Sequence, residues 1–142
     1  MGYELSKVDV WVGEIENHPG GLAGLLEDLN KGDINLEFVI TRHQPEKPGV
    51  DLVFLAPIQG AKQIKIAKAT GLTRAESMCS IRLLGPDRAG LGSNIARILE
   101  EAEINIRGLS AAAIGKRSVV YFSFGDKPTR TKALRAIRKF YG

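Results

Sequence analysis

Cysteine and histidine are scarce in this sequence, and their scarcity excludes several kinds of site. Cys79 is the only cysteine, so the chain can form neither an internal disulfide nor a metal site built from several cysteines. The two histidines, His18 and His43, belong to no recognisable grouping of serine, histidine and acid, and the acidic residues show no metal-ligand spacing. We therefore predict a protein that is not an enzyme, with no catalytic residues, no metal and no cofactor.

Long hydrophobic runs are also missing. No apolar stretch approaches the roughly 18 residues that a membrane-spanning helix needs. The first residues do not show the basic and then apolar succession of a secretory signal. Together with the single cysteine, these absences predict a cytoplasmic protein that does not bind membranes.

The charge is weakly basic, with a formal net charge of +4. Much of the excess lies in residues 127–139, where basic side chains alternate with an apolar stripe that includes Leu134, Ile137 and Phe140. This pattern is typical of an amphipathic helix with a solvated basic face. We therefore do not expect nucleic acid to be a partner on the strength of the charge alone.

What the sequence does contain is a repeat. Residues 86–106 read as a glycine turn, an amphipathic helix and the start of a strand, and residues 17–36 read in the same way. An offset of 70 residues (90 minus 20) places Gly20 on Gly90 and also Asn35 on Asn105, with no insertion between them. A duplicated unit of this size is a supersecondary building block, so we predict two domains, residues 1–76 and 77–142.

Within each repeat, the apolar periodicity and the turn residues predict the order strand, helix, strand, strand, helix. The predicted strands are 8–13, 34–43, 50–56, 72–78, 79–84, 105–114 and 117–125, and the predicted helices are 20–32, 61–69, 92–102 and 129–141. The second repeat is one strand short, and we expect residues 3–7 or another chain to supply that strand. The predicted fold class is α+β: two tandem ferredoxin-like (βαββαβ) units, each an antiparallel sheet with helices on one face.

At the glycine turns the sequence resembles a known family. The run DRAGL, from Asp87 to Leu91, is similar to the Asp-Arg-Pro-Gly-Leu signature of ACT domains, and NHPG, from Asn17 to Gly20, resembles its Asn-Arg-Pro-Gly form. The resemblance covers nearly the whole chain as two tandem copies. It implies ACT-type domains, which are regulatory modules of amino-acid metabolism that bind small effectors, usually amino acids, at domain interfaces.

The resemblance also implies a set of ligand-binding residues. In the regulatory domain of phosphoglycerate dehydrogenase, the serine site uses the asparagine of the turn and the asparagine that opens the second strand. The matching residues here are Asn17 and Asn35, and in the second repeat Asp87 and Asn105. The full set of predicted ligand-binding residues is Asn17, His18, Gly20, Gly21, Leu22, Asn35, Asp87, Arg88, Gly90, Leu91 and Asn105.

The chemistry of these residues suits an amino acid without reference to the family. A glycine turn that leads into a helix presents free backbone N–H groups at the positive end of the helix dipole, which favours a carboxylate. Asparagine can pair with either end of a zwitterion, and Asp87 suits an ammonium group. An alternative interpretation is that Asn17 and Asp87 only cap helices, and that Arg88 is only a solvated side chain.

Three functions remain open at this stage. The first is an amino-acid sensor that regulates a partner enzyme of amino-acid metabolism or stands alone, and that forms a homodimer. The second is an RNA-binding protein, because RNA-recognition motifs share the split βαβ sheet and residues 117–124 contain Tyr121 and Phe124 on a predicted strand. The third is a protein-interaction module that binds no ligand.

Overall fold

The computed structural model describes residues 2–142, which form six strands and four helices. The strands are β1 (Glu4–Glu16), β2 (Phe38–His43), β3 (Val50–Ala56), β4 (Thr73–Pro86), β5 (Gly108–Ile114) and β6 (Arg117–Phe124). The helices are α1 (Gly21–Asn30), α2 (Gly60–Ala69), α3 (Leu91–Glu101) and α4 (Lys127–Tyr141). None of the helices formed by residues 2–142 is long and apolar enough to cross a membrane.

The chain divides into two compact units. The first unit consists of residues 9–75, and the second unit consists of residues 2–8 together with residues 76–142. Both boundaries fall inside strands, because β1 enters the first unit at Asp9 and β4 enters the second unit at Glu76. Residues 2–8 therefore lie with the half of the chain that contains the second repeat.

The first unit has the strand order β2-β3-β1-β4, which is the order of a ferredoxin-like fold. Strand β3 pairs antiparallel with both neighbours, so that Leu55 lies opposite Trp11 of β1 and Val39 of β2. Trp11 and Leu55 are buried in the core of this unit, together with Leu29 of α1 and Ala67 of α2. The sequence prediction of helices that cover one face of the sheet is confirmed here.

The second unit repeats this architecture with the strand order β5-β6-β4-β1. Phe122 of β6 lies opposite Ile81 of β4 and Leu109 of β5, and it is buried in a core that includes Ile95 of α3 and Ile137 of α4. The fold class predicted from the sequence, two tandem ferredoxin-like units, is confirmed.

The strand that the second repeat lacks comes from the N-terminus, as predicted. Residues 4–8 of β1 belong to the second unit and lie beside β4. The hydroxyl of Tyr3 donates a hydrogen bond to the carbonyl of Pro86 (2.8 Å), and the Tyr3 ring packs edge-on against Tyr141 with 5.1 Å between the ring centroids. A side chain at Gly85 would collide with the Tyr3 ring, so the close approach of this ring to β4 requires glycine at position 85.

Two predicted strand starts are wrong by a few residues, and both for the same reason. We expected strands to begin at residues 34 and 105, but β2 begins at Phe38 and β5 at Gly108. After α1 and α3 the chain turns through a left-handed residue, Asp33 or Glu103, each with φ of 57°. The next residues, Ile34 and Ile104, are buried against the helix end instead of alternating along a strand.

The strand predictions around residue 78 also need correction. We expected one strand at 72–78 and another at 79–84, but β4 runs without interruption from Thr73 to Pro86. Likewise, β1 extends well beyond the predicted range of 8–13 in both directions. Both strands are long because each contributes to both units, and strand pairing extends a segment beyond the reach of its local hydrophobic pattern.

Candidate functional site at the glycine turns

The two glycine turns have the same backbone geometry. Gly20 and Gly90 occupy the left-handed region with φ of 96° and 86°, which glycine adopts without the steric cost that other residues carry. The N–H of Asn17 donates to the Gly49 carbonyl (2.9 Å), and the N–H of Asp87 donates to the Lys116 carbonyl (2.8 Å). The repeat seen in the sequence is therefore a repeat of turn structure.

The helices that follow these turns begin without a side-chain cap. The N-cap residues are Gly20 for α1 and Gly90 for α3, and within residues 2–142 no side chain caps either helix. The interpretation of Asn17 and Asp87 as helix caps is therefore wrong. The N–H of Gly21 donates to the His18 carbonyl and that of Leu91 to the Arg88 carbonyl, so the N–H groups of the next two residues of each helix are the ones suited to an anion.

His18 stands where the ACT motif has arginine, and its surroundings favour the charged imidazolium. Its Nδ1 lies 2.8 Å from the carbonyl oxygen of Pro19, and its Nε2 lies 2.7 Å from a carboxylate oxygen of Glu16. Because both partners are acceptors, both ring nitrogens must donate, which only the protonated ring can do. The Pro19 carbonyl, and then the Glu16 carboxylate, raise the pKa of His18 above its ordinary value.

We expect a pH titration followed by NMR to give His18 a pKa above the usual value of about 6.5. Because the pKa is raised in the folded protein, the stabilisation from this charge is present below the unfolded pKa and is lost as the pH rises through the folded pKa. Replacing Glu16 with glutamine should lower the His18 pKa only in part, since the Pro19 carbonyl remains. A His18 pKa at or below its ordinary value would contradict this geometry.

A cavity of about 250 Å³ lies beside the turn of the second unit. The turn residues Asp87, Arg88 and Gly90 line it, and so do Leu91 and Gly92 of α3. The remaining wall comes from the inward face of β5 and β6 and includes Leu109, Ala111, Ala113, Ser118 and Val120. The structure thus brings four of the predicted residues, Asp87, Arg88, Gly90 and Leu91, to one cavity.

Asn105 does not line that cavity. It is exposed in the segment between α3 and β5, where it borders two other open cavities, one of about 420 Å³ and one of about 360 Å³. The second of these is polar and includes Arg107, Asp126 and Lys132. Within the second unit, Asp87 and Asn105 therefore belong to different cavities.

The predicted residues of the first unit occupy the matching positions. Asn17, His18 and Gly20 are exposed on the turn, and Asn35 is exposed between α1 and β2. Leu22 is half-buried and packs against the core of this unit. At Gly21 an added side chain would collide with the backbone carbonyl of Glu16, so this glycine is required by the fold of the turn.

The sequence analysis missed the residues that form the wall of the cavity. Ser118 is 7% exposed, and Ala111 and Ala113 lie on the adjacent strand, directly opposite Val120 and Ser118. A cluster of small residues on two neighbouring strands is visible in the sequence. Which of them face the helices depends on the register between β5 and β6, which the sequence alone does not give.

No protein-family model matches the sequence, and no curated protein is similar to it. Solved structures do share its fold. A protein from Bacteroides thetaiotaomicron has a TM-score of 0.76 at 14% identity, over 95% of this chain and 89% of that chain. The regulatory subunit of aspartate kinase from Thermus thermophilus has a TM-score of 0.63 at 13% identity, over 100% of this chain and 98% of that chain.

A larger enzyme contains a similar part. Aspartokinase III from E. coli, solved in complex with aspartate and ADP, has a TM-score of 0.55 at 14% identity, over 96% of this chain but only 32% of the enzyme. At such identities the likeness establishes the fold alone. The chain therefore has the ACT-type fold predicted from its turns, and the solved structures that share this fold include regulatory subunits of aspartate kinase.

Proposed function

We propose that this protein with an ACT-type fold is a cytoplasmic regulatory protein that binds an amino acid at its glycine turns. The observation that carries the proposal is the cavity beside the turn from Asp87 to Leu91. It combines an uncapped helix N-terminus, which favours a carboxylate, with a nearby acidic side chain, which favours an ammonium group. A free amino acid presents these two groups on one carbon atom.

Regulation requires that the bound amino acid changes the protein's affinity for something else. A ligand shifts an equilibrium only by its differential affinity for the two states. We propose that the second state involves a partner enzyme of amino-acid metabolism, by analogy with the regulatory subunits that share this fold. The protein would then report the level of an amino acid without catalysing a reaction.

The edge strand β5 favours assembly into a homodimer. It lies at the end of the strand order of the second unit, carries no charged side chain, and exposes Leu109 (51%) and Ile114 (83%). An uncharged edge strand invites pairing with another chain, and a second copy of the protein offers an identical edge. We therefore propose a homodimer, and a strictly monomeric mass by light scattering at tens of micromolar would contradict it.

The aromatic residues on which the RNA-binding alternative depends are buried in the structure. Phe122 and Phe124 are completely buried on the face of β6 that packs against the helices, and Tyr121 on the opposite face is only 3% exposed. Base recognition on a sheet needs aromatic faces that a base can reach. Of the two ligand classes, the amino acid is the one that the surface supports.

The test is a thermal-shift screen of the purified protein against the twenty common amino acids and a single-stranded RNA oligonucleotide, followed by calorimetry on every hit. We expect at least one amino acid to raise the melting temperature and RNA to leave it unchanged. A ligand present at 100 times its Kd stabilises the folded state by about 2.7 kcal/mol, which such a screen detects readily. A response to RNA alone, or to no amino acid, would overturn the proposal.

A further inference from the structure

The two glycine turns differ in the strand residues that lie beside them. In the second unit, the inward positions of β5 and β6 beside the turn are Ala113 opposite Ser118. In the first unit, the matching positions of β2 and β3 are His43 opposite Asp51. His43 Nδ1 lies 2.8 Å from Asp51 Oδ1, so a polar pair stands in the first unit where the second unit has two small residues.

The small residues leave the second unit with an apolar cavity. Leu91, Leu109, Ala111 and Val120 all contribute to its lining, and Leu91 and Val120 are themselves buried in the core. Its volume of about 250 Å³ is below the range of roughly 300 to 1,000 Å³ typical of sites for drug-sized ligands. The space therefore suits a small molecule with an aliphatic part.

Ser118 gives this cavity an unused polar group. The residue is 7% exposed, and within residues 2–142 its buried Oγ has no hydrogen-bond partner. Burying a hydroxyl without a partner costs free energy, and Ser118 lines the cavity beside the uncapped N-terminus of α3. A bound ligand that donates to or accepts from this hydroxyl would satisfy it.

We infer that the second unit holds the effector site and that its ligand is an α-amino acid with a small aliphatic side chain, of the size of valine or leucine. This inference rests on the proposed function and names the ligand class and the unit. The ligand carboxylate faces the N–H groups of residues 92 and 93 in the first turn of α3, the ammonium group lies near Asp87, and the side chain enters the space between Leu91 and Val120. Ser118 completes the polar contacts.

Charged amino acids suit this site less well than aliphatic ones. Aspartate or lysine would bring a further charge against the part of the lining that β5 and β6 supply, which consists of leucine, alanine, valine and Ser118, whereas the charged lining residues Asp87 and Arg88 belong to the turn. Burying an unpaired charge costs far more free energy than an aliphatic contact contributes to binding. Selectivity for aliphatic over charged side chains is thus a direct consequence of the wall that β5 and β6 provide.

The test is isothermal titration calorimetry of the full chain with L-valine, L-leucine, L-aspartate and L-lysine, on the wild type and on three variants. We expect Ser118→Ala to weaken binding of the aliphatic amino acid by about three- to tenfold, as for loss of one neutral hydrogen bond. Ala111→Leu places a large side chain in the cavity from an exposed edge strand, so binding should fall by at least about fiftyfold with little loss of folding. Thr41→Leu makes the same strand position bulky in the first unit and should leave binding unchanged.

The outcomes separate this inference from the proposed function. If L-aspartate or L-lysine binds and the aliphatic amino acids do not, the inference is wrong while amino-acid binding stands. If Thr41→Leu abolishes binding and Ala111→Leu does not, the ligand belongs to the first unit and the inference is again wrong. If none of the twenty amino acids binds, both fail. Circular dichroism melts of each variant confirm that a loss of binding is not a loss of folding.

Discussion

Replacing Phe122 with alanine is expected to lower the free energy of unfolding by about 3 to 5 kcal/mol. Phe122 is completely buried at the centre of the second unit, where it lies opposite Ile81 on one side and Leu109 on the other. Removing the ring leaves a cavity among close-packed neighbours that cannot collapse freely, because α3 and α4 both pack on this face. A domain with an ordinary stability of about 5 to 15 kcal/mol would lose roughly a fifth of it or more.

Urea denaturation followed by circular dichroism measures this loss, and Phe140 provides a matched control. Phe140 lies near the end of α4 and is 67% exposed, so Phe140→Ala should change the free energy of unfolding by less than about 0.5 kcal/mol. Equal effects of the two substitutions would mean that Phe122 does not hold the core position described here. The comparison also bears on RNA binding, because a residue this important for folding is not free to stack on a base.

The parts of the fold that could be predicted from the sequence are those with local signals. The glycine at position 90, the apolar stripe that includes Ile95 and Leu99, and the same pattern 70 residues earlier each depend on neighbours a few residues away. Such patterns predict helices and tight turns well. They also predicted the ferredoxin-like fold of each unit, and the glycine turns led to the ACT resemblance.

The lengths of β1 and β4 could not be predicted, because they depend on tertiary pairing. The Val8–Asp9 and Ala75–Glu76 boundaries fall in the middle of strands, and no composition shift or turn residue marks them. The hydrophobic periodicity predicted that β1 ends at residue 13 and that β4 is interrupted near residue 78. In the structure, β1 pairs with β3 as far as Glu16, and β4 runs without interruption through residue 78.

In the candidate site, too, some residues could be predicted from local sequence signals and others could not. The turn residues Asp87 and Gly90 could be predicted, because glycine in a left-handed conformation before a helix has a recognisable sequence setting. Ser118 could not, since its role depends on facing α3 and on having no partner, and both properties follow from the strand register. The mid-helix glycine at position 24 is exposed, and a Cβ added there would meet no atom of residues 2–142 within 4 Å.

Replacing Gly92 with leucine is expected to abolish binding of the aliphatic amino acid while leaving the fold as stable as the wild type or slightly more stable. Gly92 is the second residue of α3 and lines the cavity, and a Cβ added there would meet no atom of the described residues 2–142 within 4 Å. The backbone therefore accepts a side chain without strain. Leucine is a better helix former than glycine by somewhat less than about 1 kcal/mol, which sets the size of the stability gain.

The loss of binding should be large because the cavity is small. A leucine side chain on the lining of a space of about 250 Å³ competes directly with the ligand, and the buried residues Leu91 and Val120 cannot move aside to make room. We expect the Kd for L-valine or L-leucine to rise by at least about a hundredfold, or roughly 2.7 kcal/mol. The first unit already carries a leucine, Leu22, at the position that the 70-residue offset matches to Gly92.

Gly24→Leu is the matched control for this substitution. It makes the same chemical change in α1 of the first unit, at an exposed position with open space around it, so it should give a similar gain in helix stability and no change in binding. Calorimetry and thermal melts of the two variants are compared with the wild type. If Gly92→Leu binds the amino acid as tightly as the wild type, the cavity beside Asp87 is not the effector site. If both variants weaken binding equally, the effect comes from helix rigidity rather than from occupancy of the cavity.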